Sequence, residues 1–230
     1  MQQHRTTRCA SHVHREFTIQ TAEASPIPDV AQILIDYFED GVAHGTKFLP
    51  GQTVRLGWSV LRLCERSDGT IGVEERELTP RPTWTESVDR ALADAWYQKE
   101  VCASVGLLEE LTFPLQEDDV MVADCAMTAD AILMTRFPDD DLPDGVSGWS
   151  LCCAENHDHG ERSFVPLIAI AANRPGLVQF LALPHDIVVL IDHVKAKDAP
   201  AGTKRILPTV FRGGDELTPV AGSYLAALQG

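Results

Sequence analysis

Apolar and polar residues alternate from Thr53 to Glu65, with Val54, Leu56, Trp58 and Val60 on one side and Leu61 and Leu63 on the other. A period of two predicts a β-strand. Ser67-Asp68-Gly69-Thr70 follows as a hairpin turn, because Asp-Gly supplies the positive φ angles such turns need. Ile71 to Glu77 returns as the partner strand, its alternating charges facing solvent. Gly57, inside the first run, marks a bulge or a close backbone approach. Before this hairpin, Phe17 to Gln20 predicts a short strand. Pro28 and Asp29 then open a helix that places Val30, Ile33, Leu34, Tyr37 and Phe38 on one face and stops near Gly41 or Gly45. After it, Thr83-Trp84-Thr85-Glu86 reads as a capping box. Val88, Ala91, Leu92, Ala95, Trp96 and Cys102 recur at helical spacing, which predicts the longest helix over 84–105, ended by Gly106.

Downstream, residues 119–123 and 131–136 predict short strands, and the Pro- and Asp-rich loop 137–145 is the natural internal boundary. Trp149 to Cys153 and Phe164 to Ala171 read as two strands around a polar insert, Glu155 to Arg162. Pro175 to Leu183 predicts a short helix closed by Pro184. Ile187 to Ile191 is an unbroken apolar run, β-branched except at Leu190, the pattern of a central strand. Lys195 to Arg205 is a basic loop, Val210 to Arg212 a last strand, and Thr218-Pro219 the start of a final helix carrying Val220, Tyr224 and Leu228. The fold class expected is α+β, with a mixed or mainly antiparallel sheet and packed helices. The expected organisation is a disordered leader over 1–16, an α+β region over 17–140 and a second α+β region over 141–230. The latter two stand either as docked halves or as one continuous domain.

Composition narrows the class. With 44% hydrophobic and 23% charged residues in 230, the chain is built to bury a core. No apolar run approaches the roughly 18–20 residues that span a bilayer. The first residues lack the apolar segment of a secretory signal, so the expected location is the cytoplasm. Six cysteines, none in a C-x-x-C pair, are then expected as reduced thiols. The net charge is −15. Between Glu109 and Asp144 eleven acidic residues are opposed in sequence by Arg136 alone. Such a segment repels nucleic-acid phosphates and attracts a basic protein, or simply serves as a solvated loop.

The candidate chemistry is sparse. Cys152, Cys153, His157 and His159 fall within eight residues and are zinc-type ligands. Neighbouring cysteines on a strand point to opposite faces, so one of the two must turn away. His-Asp-His on a polar loop also suits plain solvent contact. Neither a metal nor any other cofactor is therefore assigned, and Cys153, His157 and His159 stand as the candidate ligands or as a small Cys/His active site. No G-x-S-x-G, P-loop or G-x-G-x-x-G pattern occurs. The triplet Asp139-Asp140-Asp141, flanked by prolines, reads as surface rather than as a glycosidase pair. The four tryptophans, Trp58, Trp84, Trp96 and Trp149, read as core anchors.

Several short signatures in order carry a resemblance. Ser147-Gly148-Trp149 opens a strand, Glu155 follows in the polar segment, and Arg174-Pro175 leads to Phe180-Leu181-Ala182-Leu183-Pro184. Through these residues the second region, 141–230, resembles the immunity-protein-33-like domain, a family proposed to neutralise bacterial polymorphic toxins. Phe48-Leu49-Pro50-Gly51-Gln52-Thr53-Val54, Gly57-Trp58 and the Trp84 helix with Gln98-Lys99 resemble an N-terminal extension found in some members. The Cys152-Cys153 pair, the His157-Asp158-His159 insert and a longer C-terminal tail depart from the pattern. The resemblance implies a non-enzymatic protein that binds a cognate toxin; the acidic segment adds that the toxin is basic and that nucleic acid is not a partner, and the lack of a long apolar run that a membrane is not one either. The partner-binding residues expected are Glu117, Asp118, Asp119, Asp139, Asp140, Asp141, Trp149 and Glu155. A metal-binding protein or Cys/His enzyme, and a general protein-protein adaptor, are the rival expectations.

Overall fold

The computed structural model describes residues 1–22, 27, 29–79, 83–138, 142–195 and 204–229. The chain divides into two compact units, Met1–Trp96 and Tyr97–Gly230. The α+β class holds, with strands in two mixed sheets and packed helices. The division falls inside a helix. The 137–145 loop, read from sequence as the boundary, instead joins two paired strands of the second unit. Asp139, Asp140 and Asp141 lie outside the described residues.

In the first unit, β1 (Gln2–Arg5), β2 (Phe17–Thr21), β3 (Thr53–Leu56), β4 (Ser59–Glu65) and β5 (Ile71–Arg76) form a sheet in the order β1-β2-β5-β4-β3, and β6 (Trp84–Thr85) pairs with β5. Helix α1 (Gln32–Ala43) buries Leu34, Phe38 and Val42. Phe38 stacks on Phe17 at 4.0 Å between ring centroids, and Phe48 meets both edge-on. This cluster is the apolar centre of the unit.

Three local expectations change here. Residues 1–16 are not a disordered leader: β1 pairs with β2, and Cys9 is fully buried. The buried Glu39 carboxylate of α1 holds the segment by accepting the Thr7 and Arg8 amides at 2.6 and 3.1 Å. The 53–65 run is a hairpin rather than one strand, because Gly57 takes φ +59° and lets Leu56 pair with Ser59. Trp84-Thr85 extends the sheet beside Arg76, so helix α2 (Asp89–Ser104) begins five residues later than the capping box suggests.

Trp58 is fully buried, and its indole N–H donates to the Asp94 carboxylate at 3.0 Å. Burial pushes Asp94 up from 3.8 to about 6. A raised carboxylate favours the folded state while it is protonated, below the unfolded value, and that contribution is lost as pH rises through about 6. Asp94→Asn keeps an acceptor for Trp58 without the charge. Relative to wild type it should gain about 1–2 kcal/mol of stability between pH 4 and pH 7, after discounting for partial solvent access. Paired urea titrations at the two pH values measure this, and a pH-independent difference would contradict the assignment.

In the second unit, β7 (Asp119–Ala123), β8 (Ala131–Arg136), β9 (Val146–Cys153), β10 (Arg162–Pro166), β11 (Ile187–Lys195), β12 (Lys204–Arg212) and β13 (Asp215–Glu216) lie in the order β10-β7-β9-β8-β11-β12-β13. β7 and β9 run parallel and the other neighbours antiparallel. β11 is flanked on both sides, as the β-branched run predicts, with Ile187, Val189 and Ile191 fully buried. The strand expected over 164–171 stops at Pro166. Pro166 sits at the N-cap of α3 (Leu167–Asn173), whose Leu167, Ile170 and Ala171 bury at helical spacing. Residues Pro175–Phe180 form 3₁₀ turns, and β12 is three times the length of the strand predicted at 210–212. The last helix, α4 (Tyr224–Gln229), begins later than Thr218-Pro219 suggests and buries Leu225.

Candidate functional site

The acidic segment separates into distinct places once folded. Asp119 opens β7 and pairs with Val146, and its amide donates to the Gly145 carbonyl at 2.7 Å. Glu117, Asp118, Asp119 and Asp144 therefore share one end of the β7–β9 pair. Glu117 and Asp144 are exposed. Asp118 accepts the Leu115 amide at 2.6 Å, so part of its carboxylate shapes its own turn. Glu110 is neutralised by a paired contact with Arg212, at 2.9 and 2.7 Å. Glu155 follows Cys153 at the far end of β9, roughly 23 Å away at the usual rise per strand residue. Glu155 thus does not share a face with Glu117–Asp119.

Arg136, the cation among these acids in sequence, is drawn into the interior. It is 4% exposed, and its Nη1 faces the carbonyls of Thr112 (3.0 Å), Leu181 (3.2 Å) and Leu183. The guanidinium lies over the Trp149 ring at 5.5 Å, and the Trp149 indole N–H donates to the same Leu181 carbonyl at 3.2 Å. Trp149 is 1% exposed, so it offers no surface to a partner; of the two roles expected of it, core anchor and partner contact, its burial fits the first. Trp58 is likewise core, whereas Trp84 and Trp96 are half-buried, with Arg62 over the Trp84 ring.

The Cys/His insert is drawn together with a residue the sequence analysis did not include. Parallel pairing of β7 with β9 sets Val122 beside Leu151, which carries the 3₁₀ turn Asp124–Met127 up to the end of β9. Cys125 on that turn then meets Cys153, His157 and His159, with all four ligand atoms within 4.8 Å of one another. Cys153 Sγ lies 2.9 Å from His157 Nε2 and 3.7 Å from His159 Nδ1, and Cys125 Sγ lies 3.3 Å from His159 Nδ1. Burial, with contact from Cys125, raises the Cys153 thiol above its ordinary value. Cys152 is outside this group. Arg174 pins the turn, its Nη2 facing the carbonyls of Ala126 (3.3 Å), Met127 (2.6 Å) and Ala129 (3.1 Å).

Residues 97–200 match the profile of the Imm33-like domain. The matched stretch lies within the second unit. No curated protein and no solved structure matches the chain. The residues that first suggested this domain have structural work within it. Ser147 Oγ donates to the Asp119 carbonyl at 2.9 Å, tying β9 to β7. Gly148 holds φ +76°, and a Cβ there would stand 2.8 Å from Leu142 Cδ1. Leu181 and Leu183 present the carbonyls that receive Arg136. The profile leaves residues 1–96 unmatched, and Glu155 sits exposed on the loop that carries His157 and His159.

Proposed function

We propose that this chain is an immunity protein that neutralises a cognate toxin by binding it directly. The observation that carries the reading is the Imm33-like domain over residues 97–200. The domain class points to a toxin as the partner. The binding surface is assigned to the end of the β7–β9 pair, where Glu117, Asp118, Asp119 and Asp144 lie together beside the exposed Leu115. Carboxylates grouped around an apolar residue suit a basic partner, attracting it at a distance and excluding water on contact. Asp139, Asp140 and Asp141 belong to the same proposal through their place in the sequence. Burial removes Trp149 from it, and distance removes Glu155. The protein works stoichiometrically, without turnover, in the cytoplasm where its target would otherwise act. No helix among the described residues is long and apolar enough to cross a membrane.

The test is capture followed by growth. Untagged protein from its own host is cross-linked at low salt, and the captured proteins are expressed singly in a bacterial host. One of them should arrest growth alone and cease to do so when this chain is co-expressed. Capture of several substoichiometric, harmless proteins would favour a general adaptor and contradict immunity.

A further inference from the structure

We propose that Cys125, Cys153, His157 and His159 form a tetrahedral site that takes one zinc ion as a structural clip. The donor set comes first. Two thiolates and two neutral imidazoles balance a dication, and this mixture of sulfur and nitrogen favours zinc over oxygen-seeking magnesium or calcium. The spacing comes second. A tetrahedral zinc with ordinary bond lengths requires sulfur–nitrogen separations of about 3.6 Å and a sulfur–sulfur separation of about 3.8 Å. The observed sulfur–nitrogen separations of 2.9, 3.3 and 3.7 Å lie around that value. His157 and His159 stand on the loop between β9 and β10, where sub-ångström adjustment is cheap.

A third, separate observation concerns the supports behind the donors. His157 turns Nε2 toward Cys153, and its Nδ1 lies 2.7 Å from the Asp158 carbonyl. That carbonyl fixes the tautomer with the proton on Nδ1 and leaves Nε2 as a lone-pair donor, the arrangement metal-bound histidines use. Gly160 N–H donates to the Asp158 carboxylate at 3.0 Å and holds the loop that carries both histidines. The Cys125 side is held by Arg174 through the three carbonyls of its turn. Both halves of the site are thus positioned by contacts that do not involve the ligand atoms.

Four protein donors fill a tetrahedral ion and leave no position for water or substrate, so the ion is structural. Its effect is to join the turn after β7 to the loop after β9. A thiol–imidazole dyad built on Cys153 and His157 alone is the alternative chemistry, and it needs neither Cys125 nor His159.

The experiment uses the full untagged chain, stripped of metal under reducing conditions and titrated with Co²⁺ and then Zn²⁺. The expected result is one equivalent of Co²⁺ with the intense visible bands of a tetrahedral site and a thiolate charge-transfer band, all abolished by one equivalent of Zn²⁺. Cys125→Ser and His159→Gln should weaken binding by more than about tenfold, and Cys152→Ser should leave it unchanged. His157→Gln, on an exposed residue, serves where a cysteine variant fails to fold, with circular dichroism checking each protein. Zinc should also slow alkylation of Cys125 and Cys153 and hydrogen exchange across 154–161. A folded wild type without the tetrahedral spectrum would overturn the proposal. So would wild-type binding by both histidine variants, or loss of binding in Cys152→Ser.

Discussion

Replacing Arg136 with alanine should destabilise the second unit by about 3–4 kcal/mol, lowering its melting temperature by roughly 10 °C. The reasoning starts from burial. At 4% exposure the guanidinium has given up water, and carbonyls of Thr112, Leu181 and Leu183 replace it while the Trp149 ring covers one face. Truncation leaves these carbonyls short of a donor and opens a void against Trp149. The Leu181 carbonyl retains a second donor, the Trp149 indole N–H. Arg136→Met separates the two losses, since it keeps much of the volume but supplies no donor. It should recover the packing share alone. Arg136→Lys keeps the charge but loses the planar fork, and should fall between wild type and alanine. Thermal and urea unfolding of the series measure this. Alanine within about 0.5 kcal/mol of wild type would show that the guanidinium does not anchor the unit.

The second large effect concerns association. Glu117→Lys, Asp119→Lys and Asp144→Lys together should slow binding of the toxin by about tenfold or more at low salt and flatten the salt dependence of the rate. Asp118 is left in place because its carboxylate caps the Leu115 amide, and its loss would confuse folding with steering. Glu155→Lys is the control. It makes a single charge reversal at the far end of β9, to be compared with each of the three reversals made singly, and should change the on-rate far less than any of them. Stopped-flow association over a range of ionic strength reads both. Equal slowing by Glu155→Lys would mean that overall charge, rather than this end of the sheet, guides the encounter. An unchanged rate in the triple variant would remove the acids from the mechanism.

How far the sequence reached depended on whether the deciding interaction was local. The central strand β11 was legible because an unbroken apolar run made almost wholly of β-branched residues has few other places to go. The hairpin turn at Asp68-Gly69 was legible for the same reason: Gly69 takes φ +82°, as such turns require. Tertiary contacts decided the rest. Trp84-Thr85 carried a good helix-capping pattern, but pairing with Arg76 and Glu75 drew it into the sheet. The run 164–171 was apolar enough for a strand, and a single residue, Pro166, divides it into β10 and α3. Cys9 and Glu39 explain the ordered N-terminus, yet Glu39 lies 30 or more residues from the amides it receives.

The same distinction governs the site. Cys153, His157 and His159 were found because they are neighbours in the chain. Cys125 was missed because only the parallel register of β7 with β9 brings it near, and nothing local to Cys125 announces that pairing. Adjacent cysteines on a strand face opposite ways, and accordingly Cys153 joins the cluster and Cys152 does not. Arg136 misled in the other direction. In sequence it is the lone counter-charge among eleven acids, and in the fold it is a buried residue that faces backbone carbonyls and the Trp149 ring.

The most direct test of the central claim is a titration. Toxin identified by capture and growth arrest is held at a concentration far above its dissociation constant. This protein is then added in steps while the toxin's activity is measured. Neutralisation by binding predicts a straight decline to zero at one equivalent, with activity restored when the complex is dissociated. Inactivation complete at a small fraction of an equivalent would make the chain an enzyme, and full activity at several equivalents would mean that it is not an immunity protein.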